Sequence, residues 1–372
     1  MPINKSNNLL NKAQIAFVTF FNCSDGGHGA AELSKGFYKS LDCKNKKLYE
    51  FNEKKFYKYQ SIINLFKLSY SILIIIKLFF YYKKDKKKII IVEGASWIGF
   101  SFITLVLAKI FIKNVFFIYH AHNIEYEIRN KKNFFLIAFI SFYLEKFVYK
   151  FSDIATSVSE YDKNIVKNLY NIPSLVLPNG LSLDQINTLK IKELPKSYYV
   201  YSGTYFYKPN EIAIDHLLKK IHPVLIKKWP DLKLIITGKG LPLDIEKKHN
   251  IIYFPHLKRN NLNYLITKSK FLLYPLFKSP GTKLKIIDGL VMGKQIITTR
   301  NGIKGIRLLD KNQPFIYKNL KEILEFINYI LKNEKKVNRK NDLLSKKYKK
   351  IYLLKNIIKK KLITEIKKKE ND

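Results

Sequence analysis

Ser279-Pro280-Gly281-Thr282-Lys283-Leu284-Lys285-Ile286-Ile287-Asp288-Gly289-Leu290-Val291-Met292-Gly293-Lys294-Gln295-Ile296-Ile297-Thr298-Thr299 is the stretch from which the fold can be read. A polar Gly-Thr turn opens a helix, a carboxylate sits near its middle, a glycine closes it, and a buried strand follows. A helix start holding Gly281, Thr282, Lys283 and Lys285 offers free backbone N–H groups and positive charge to an anion. Asp288 lies nearly two turns beyond Thr282. From there its carboxylate can reach a sugar hydroxyl on a ligand whose phosphates occupy the helix start. The stretch predicts a nucleotide-diphosphate site.

The same alternation extends outward on both sides. Residues 198–202, 232–237, 251–254 and 271–274 read as strands, 211–221 and 262–268 as helices, and 295–299 as the strand that completes the series. Earlier in the chain, 14–20 reads as a first buried strand that leads through Gly26-Gly27-His28-Gly29 into a helix over 30–41. Strands follow at 89–92, 115–119, 154–158 and 175–177, with a helix over 134–151. Ser159 and Asp162 form the start of a capping box. Alternating strand and helix predict parallel sheets covered on both faces. Polar motifs end the strands, where such sheets bind ligands. No repeat period is evident.

At 372 residues the chain suits two domains. We place the first at 1–180, a connection at 181–197, the second at 198–340 and a Lys-rich terminal helix at 341–372. The tail has apolar residues at helical spacing, which suits either packing on the body with a solvated basic face or contact with a membrane. Cys23 and Cys43 give no disulfide framework or zinc spacing and fit a reducing compartment. The polar first eight residues carry no signal-peptide pattern, so a cytoplasmic location is expected.

The formal charge of +39 comes from 68 basic and 29 acidic residues, and only five of the basic ones are arginines. A lysine excess without a nucleic-acid motif or arginine clusters argues against nucleic acid as partner. It suits an anionic membrane surface. The apolar runs 68–82, 97–107 and 134–148 are interrupted or shorter than the roughly 20 residues of a membrane span. Each reads as a core helix, with an interfacial helix as the alternative. The aromatic, lysine-rich stretch 54–88 is the candidate peripheral membrane face.

Gly26-Gly27-His28-Gly29, His122-Asn123-Ile124-Glu125, Pro178-Asn179-Gly180, Gly203 through Pro209-Asn210, Gly238-Lys239-Gly240 and 281–293 occur in an order that resembles the bacterial retaining glycosyltransferases of family four. The resemblance covers roughly residues 13–310. It implies the GT-B fold, an α/β architecture of two Rossmann-like doubly wound parallel-sheet domains facing across a cleft. It implies a metal-independent enzyme with no cofactor, using a nucleotide-diphosphate sugar donor. A saccharide acceptor, lipid-linked and serving surface-polysaccharide assembly, follows from the family and from the basic charge.

The resemblance assigns His122 to the transferred sugar, with His120 as the alternative at the same strand end. Glu125 orients the histidine or binds the acceptor hydroxyl. Gly27, Gly29, Gly203, Lys208, Gly238, Gly281, Thr282, Lys283, Lys285 and Asp288 bind the donor. Of Lys283 and Lys285, one is expected on phosphate and the other in solvent. The family's two-glutamate signature is half missing, because its first position falls on Pro280 and its second on Asp288. That gap leaves a non-catalytic binding protein with a degenerate site as the rival reading. A dinucleotide-dependent dehydrogenase is disfavoured, since the loop at 26–29 lacks the Gly-x-Gly-x-x-Gly spacing. No His/Asp/Cys cluster with metal-ligand spacing is visible in the sequence.

Overall fold

The computed structural model describes residues 12–23, 29–52, 63–94, 96–130, 135–277 and 281–371. The chain forms two compact units, one from 1–180 with 354–372 and the other from 181–353. The Lys-rich tail is therefore not one piece but is divided between them.

The first unit is a six-stranded parallel sheet: β1 (Ala13–Thr19), β2 (Lys46–Glu50), β3 (Lys87–Gly94), β4 (Val115–Ala121), β5 (Ile154–Ser157) and β6 (Leu175–Val176), in the order β2-β1-β3-β4-β5-β6. Continuous apolar runs suit strands covered on both faces. β2 escapes the sequence reading because it is an edge strand in which only Tyr49 is buried. Ala16, Val18, Ile90, Val92, Phe117 and Tyr119 point to one face. There they meet the helices α2 (Ile63–Tyr81), α3 (Ile98–Phe111), α5 (Phe135–Phe151) and α6 (Glu160–Tyr170). Ser159 accepts a hydrogen bond from the Asp162 backbone N–H at 3.1 Å and caps α6 as its sequence predicts.

Ile15, Phe17, Ile89, Ile91 and Ile118 alternate onto the other face. That face is covered by α1 (Gly29–Ser40) and by the end of the chain, α14 (Leu354–Ile357) and α15 (Ile363–Asn371). Leu354, Ile357, Ile358, Leu362, Ile363 and Ile366 are all buried in this layer. Of the two readings of the tail, packing on the body is the one its apolar side adopts. A short helix, α4 (Glu125–Asn130), follows β4.

The second unit is another six-stranded parallel sheet. Its strands β7 (Tyr198–Ser202), β8 (Lys233–Thr237), β9 (Ile252–Phe254), β10 (Leu272–Tyr274), β11 (Ile296–Thr298) and β12 (Phe315–Ile316) lie in the order β12-β11-β10-β7-β8-β9. β12 has only two residues, too few for a sequence period to show. The chain winds outward from β7 through β8 and β9, then returns to the other side of β7 with β10. The strand order thus reverses between β7 and β10, the place where doubly wound sheets bind ligands. The helices are α7 (Lys208–His216), α8 (His222–Lys228), α9 (Leu243–His249), α10 (Arg259–Lys268), α11 (Leu284–Val291), α12 (Leu320–Lys332) and α13 (Glu334–Tyr352). α11 starts at Leu284, so Gly281 and Thr282 lie in the loop before it rather than in its first turn.

Candidate active site

In the second unit the turns after β7 and β8 and the Lys285 side chain converge because glycine lets them. A Cβ at Gly203 would lie 2.5 Å from Lys285 Nζ and 2.9 Å from Asn210 Nδ2. A Cβ at Gly238, whose φ is +127°, would lie 2.4 Å from the Gly203 carbonyl oxygen. Tyr253 donates its hydroxyl hydrogen bond to the Gly238 carbonyl at 2.8 Å and fixes the turn.

Lys285, in the first turn of α11, reaches into this junction. Its ammonium donates to Asn210 Oδ1 at 2.8 Å and lies 4.5 Å from the Tyr201 ring centroid and 5.3 Å from that of Tyr274. Burial pushes its pKa from 10.5 down to about 7, although Asp288 acts in the opposite direction. Lys283 is also buried, and its ammonium donates to the Gly281 carbonyl at 2.6 Å. The expected division into one phosphate-bound and one solvated lysine does not hold, since both are withdrawn from water. The Thr282 hydroxyl is buried without a partner among the described residues, which is uncommon for a polar atom.

Two of the donor candidates already have side-chain partners. Lys208 has 72% of its side chain exposed and pairs with Glu211 at 2.9 Å on the surface of its own helix, so it is not drawn into the loop junction. Asp288 is buried, but its carboxylate is already gripped by both terminal nitrogens of the Arg259 guanidinium, with Nη1 to Oδ2 at 3.0 Å. Arg259 Nε donates in turn to the Gln185 carbonyl at 3.2 Å. A ribose at Asp288 has to share or displace that guanidinium. Arg259 is a site residue that sequence reasoning missed, and Asn210 was quoted in a motif without a role.

In the first unit, strand register builds a buried cluster. β3 and β4 pair Glu93 with His120, and His122 follows two residues later on the same face. Glu93 is hydrogen-bonded to His122 Nε2, and His120 Nδ1 shares a hydrogen bond with Thr156 Oγ1 at 2.7 Å. The Phe37 ring of α1 covers His120 at 4.9 Å between centroids. Burial pushes His120 down to about 4, partly opposed by Glu93, which keeps it neutral near pH 7. Burial alone would raise the pKa of Glu93, but the two imidazoles hold it below the ordinary value. His122 Nδ1 and Glu93 Oε1 are buried without partners among the described residues. A ligand hydroxyl would satisfy them.

The sequence reading has no metal-ligand cluster, yet Glu93, His120 and His122 present ligand atoms within 4.8 Å of one another. These residue types suit zinc or a similar cation. Spacing could not reveal the group, because Glu93 comes from a different strand. Glu125 is not the residue that orients His122. It is buried at the start of α4, and Arg129 donates to its Oε2 from Nε at 3.1 Å and Nη2 at 3.0 Å. Gly29 is the first residue of α1, with open space beside its Cα, whereas Gly27 lies outside the described residues. A groove of about 530 Å³ between β12, α12 and α13 includes none of these residues.

Residues 196–333 match the family model described as Glycosyl transferases group 1. No curated protein matches the chain by sequence. HepE from Anabaena, solved in complex with UDP-glucose, superposes with a TM-score of 0.66 at 12% identity over 95% of this chain and 99% of its own. Sucrose-phosphate synthase from Thermosynechococcus elongatus gives 0.67 at 9% identity over 96% and 98%. A glycosyltransferase from Rickettsia africae gives 0.65 at 13% over 97% and 100%. At such identities the structural likeness establishes fold. The chain has the GT-B fold of these structures, and its residues 196–333 resemble the group 1 glycosyl transferases.

Proposed function

We propose that the protein is a retaining glycosyltransferase that moves a hexose-type sugar from a nucleotide-diphosphate donor to a saccharide acceptor. We take the acceptor to be lipid-linked and the product to serve surface-polysaccharide assembly, at the cytoplasmic side of a membrane. The observation that carries the donor assignment is Lys285. It is a desolvated ammonium at the strand-order reversal of the second sheet, and its hydrogen-bond partners, Asn210 and Tyr201, are neutral. A buried cation facing neutral groups is poised for an anion. HepE, of the same fold, was solved with UDP-glucose and with UDP and glucose, which supports a nucleoside diphosphate sugar as the ligand class.

In the reaction the acceptor oxygen bonds to the anomeric carbon as the bond from that carbon to the diphosphate breaks. The departing phosphate oxygen takes the acceptor proton, on the same face, so configuration is retained. Lys285, Lys283 and the amides at the start of α11 stabilise the negative charge that develops on the leaving group. Double displacement needs a free carboxylate nucleophile. The buried acids Glu93, Glu125 and Asp288 are instead held by His122, Arg129 and Arg259, and Glu145 accepts from the Tyr170 hydroxyl and the backbone N–H groups of Glu125 and Tyr126. His122, with Glu93 behind it, is assigned to a sugar hydroxyl.

We assign no metal to the diphosphate, because lysines supply its countercharge. Loss of turnover in a chelator would overturn that assignment and point to the Glu93, His120 and His122 cluster. The rival reading, a non-catalytic binding protein, has the Asp288–Arg259 pair on its side. Labelled nucleotide sugars, incubated with lipid-linked saccharides, separate the two by turnover. Lys285→Ala should weaken nucleoside diphosphate binding by roughly 10- to 100-fold, the worth of a charge-assisted hydrogen bond. Unchanged affinity in that variant would remove the donor assignment.

A further inference from the structure

Helices α2, α3 and α5 lie side by side on one face of the first unit's sheet and bury only the sides turned toward it. On α2 the buried residues are Ser71, Ile74, Ile75 and Leu78, a single helical stripe. The opposite side is apolar too, with Ile76, Phe79 and Phe80 exposed by 53, 62 and 81%. On α5, Phe135 and Leu136 are exposed by 81 and 70%. Among the described residues 24 large apolar side chains are exposed, and 15 of them belong to these helices: 6 on α2, 2 on α3 and 7 on α5. A helix facing water carries polar residues there. So concentrated an apolar surface marks a contact site.

Charge identifies the partner. The three helices carry Lys67, Lys77, Lys109, Lys146 and Lys150, and their one acid, Glu145, is fully buried. Lys83, Lys84 and Asp85 are exposed just beyond α2, and Lys109 is paired with Asp153 at 2.6 Å, so the balance stays positive. Apolar side chains bordered by an excess of cations suit a surface that is apolar beneath and anionic above. A second copy of this chain meets that description poorly, because it would set lysine against lysine in a protein of formal charge +39. By length and composition α2 could cross a bilayer. Its buried stripe, however, is part of the first unit's core, so it lies along the surface instead.

We propose that α2, α3 and α5 form the docking face for an anionic phospholipid bilayer, with Phe79, Phe80, Phe135 and Leu136 inserted at the headgroup–acyl boundary and Lys77, Lys83, Lys84, Lys146 and Lys150 on lipid phosphates. The face is independent of donor chemistry, so vesicle binding without turnover would keep this proposal and remove only the transferase reading. The experiment is co-sedimentation of the full chain with phosphatidylcholine vesicles and with vesicles of phosphatidylcholine and phosphatidylglycerol in equal parts. The protein should partition onto the anionic vesicles at least about tenfold better. Phe79→Glu with Phe80→Glu, and separately Phe135→Glu with Leu136→Glu, should lower that partition about tenfold or more, while circular dichroism and nucleotide binding stay as in the parent. Leu343→Glu, on the second unit, should leave it unchanged. Three results would overturn the proposal: equal partition onto both vesicles, variants that sediment like the parent, or a dimer in analytical ultracentrifugation that the same substitutions dissociate.

Discussion

Lys285 joins charge, burial and ligand chemistry in one side chain. Burial lowers its pKa to about 7, so it gives up its proton far more readily than an exposed lysine does. A diphosphate beside it favours the charged form and raises that pKa, so binding takes up a proton. Affinity for UDP should therefore fall as pH rises above about 7, by up to tenfold per unit until the bound-state pKa is reached. Calorimetry in buffers of different ionisation enthalpy measures the proton uptake directly, and Lys285→Met should abolish both the uptake and the slope. A flat affinity across that range in the parent protein would refute the role. For the free protein the sign is worked the same way. The unfolded lysine keeps its proton up to about 10.5 and the folded one only to about 7, so stability contributed by this group rises with pH between those values. The arginines also carry information at this scale. In a chain with five arginines among 68 basic residues, two of them, Arg129 and Arg259, grip the buried acids Glu125 and Asp288. A guanidinium fork matches a carboxylate where a lysine cannot, so scarce arginine was a readable signal of buried acids.

At the scale of elements, the glycine turns decide how closely the strand ends approach one another. Gly238 sits against the Gly203 carbonyl, which is backbone and cannot swing aside, and its φ of +127° suits only glycine. Gly238→Ala should cost about 1–3 kcal/mol and lower the melting temperature by several degrees. Gly203→Ala, at a φ of +156°, meets side-chain atoms instead, the Lys285 ammonium and the Asn210 amide. It should weaken UDP binding more than it lowers the melting temperature. Differential scanning calorimetry paired with UDP titration of both variants tests the contrast, and equal melting losses would show that the two turns are not built as described. Most of the elements were legible in the sequence, because long apolar runs and the glycines after them state strand, turn and helix directly. The edge strands β2 and β12 were not, since one has a single buried residue and the other is two residues long. The Glu93, His120 and His122 cluster depends on a register between strands, which no linear spacing encodes.

For the whole molecule, the chain's end is structural to a degree its composition hides. Lysines dominate residues 354–371, yet six large apolar residues between them close one face of the first unit's sheet over Phe37, Leu41, Ile89 and Ile91. Burying such a side chain stabilises by about 1.5–3 kcal/mol, an upper range because unfolded chains already bury some of this surface. Six of them together match or exceed the entire stability of an ordinary domain, about 5–15 kcal/mol. A chain ending at residue 353 should therefore lack a folded first unit, while 181–353 keeps its own core. Limited proteolysis should digest residues before 181 rapidly and leave a resistant fragment of the second unit, and calorimetry should lose one of two transitions. Leu362→Asp with Ile366→Asp in the full chain should reproduce the effect without shortening it. Should the shortened protein keep both transitions within a few degrees of the parent, the tail would be a covering that the first unit's core does not need.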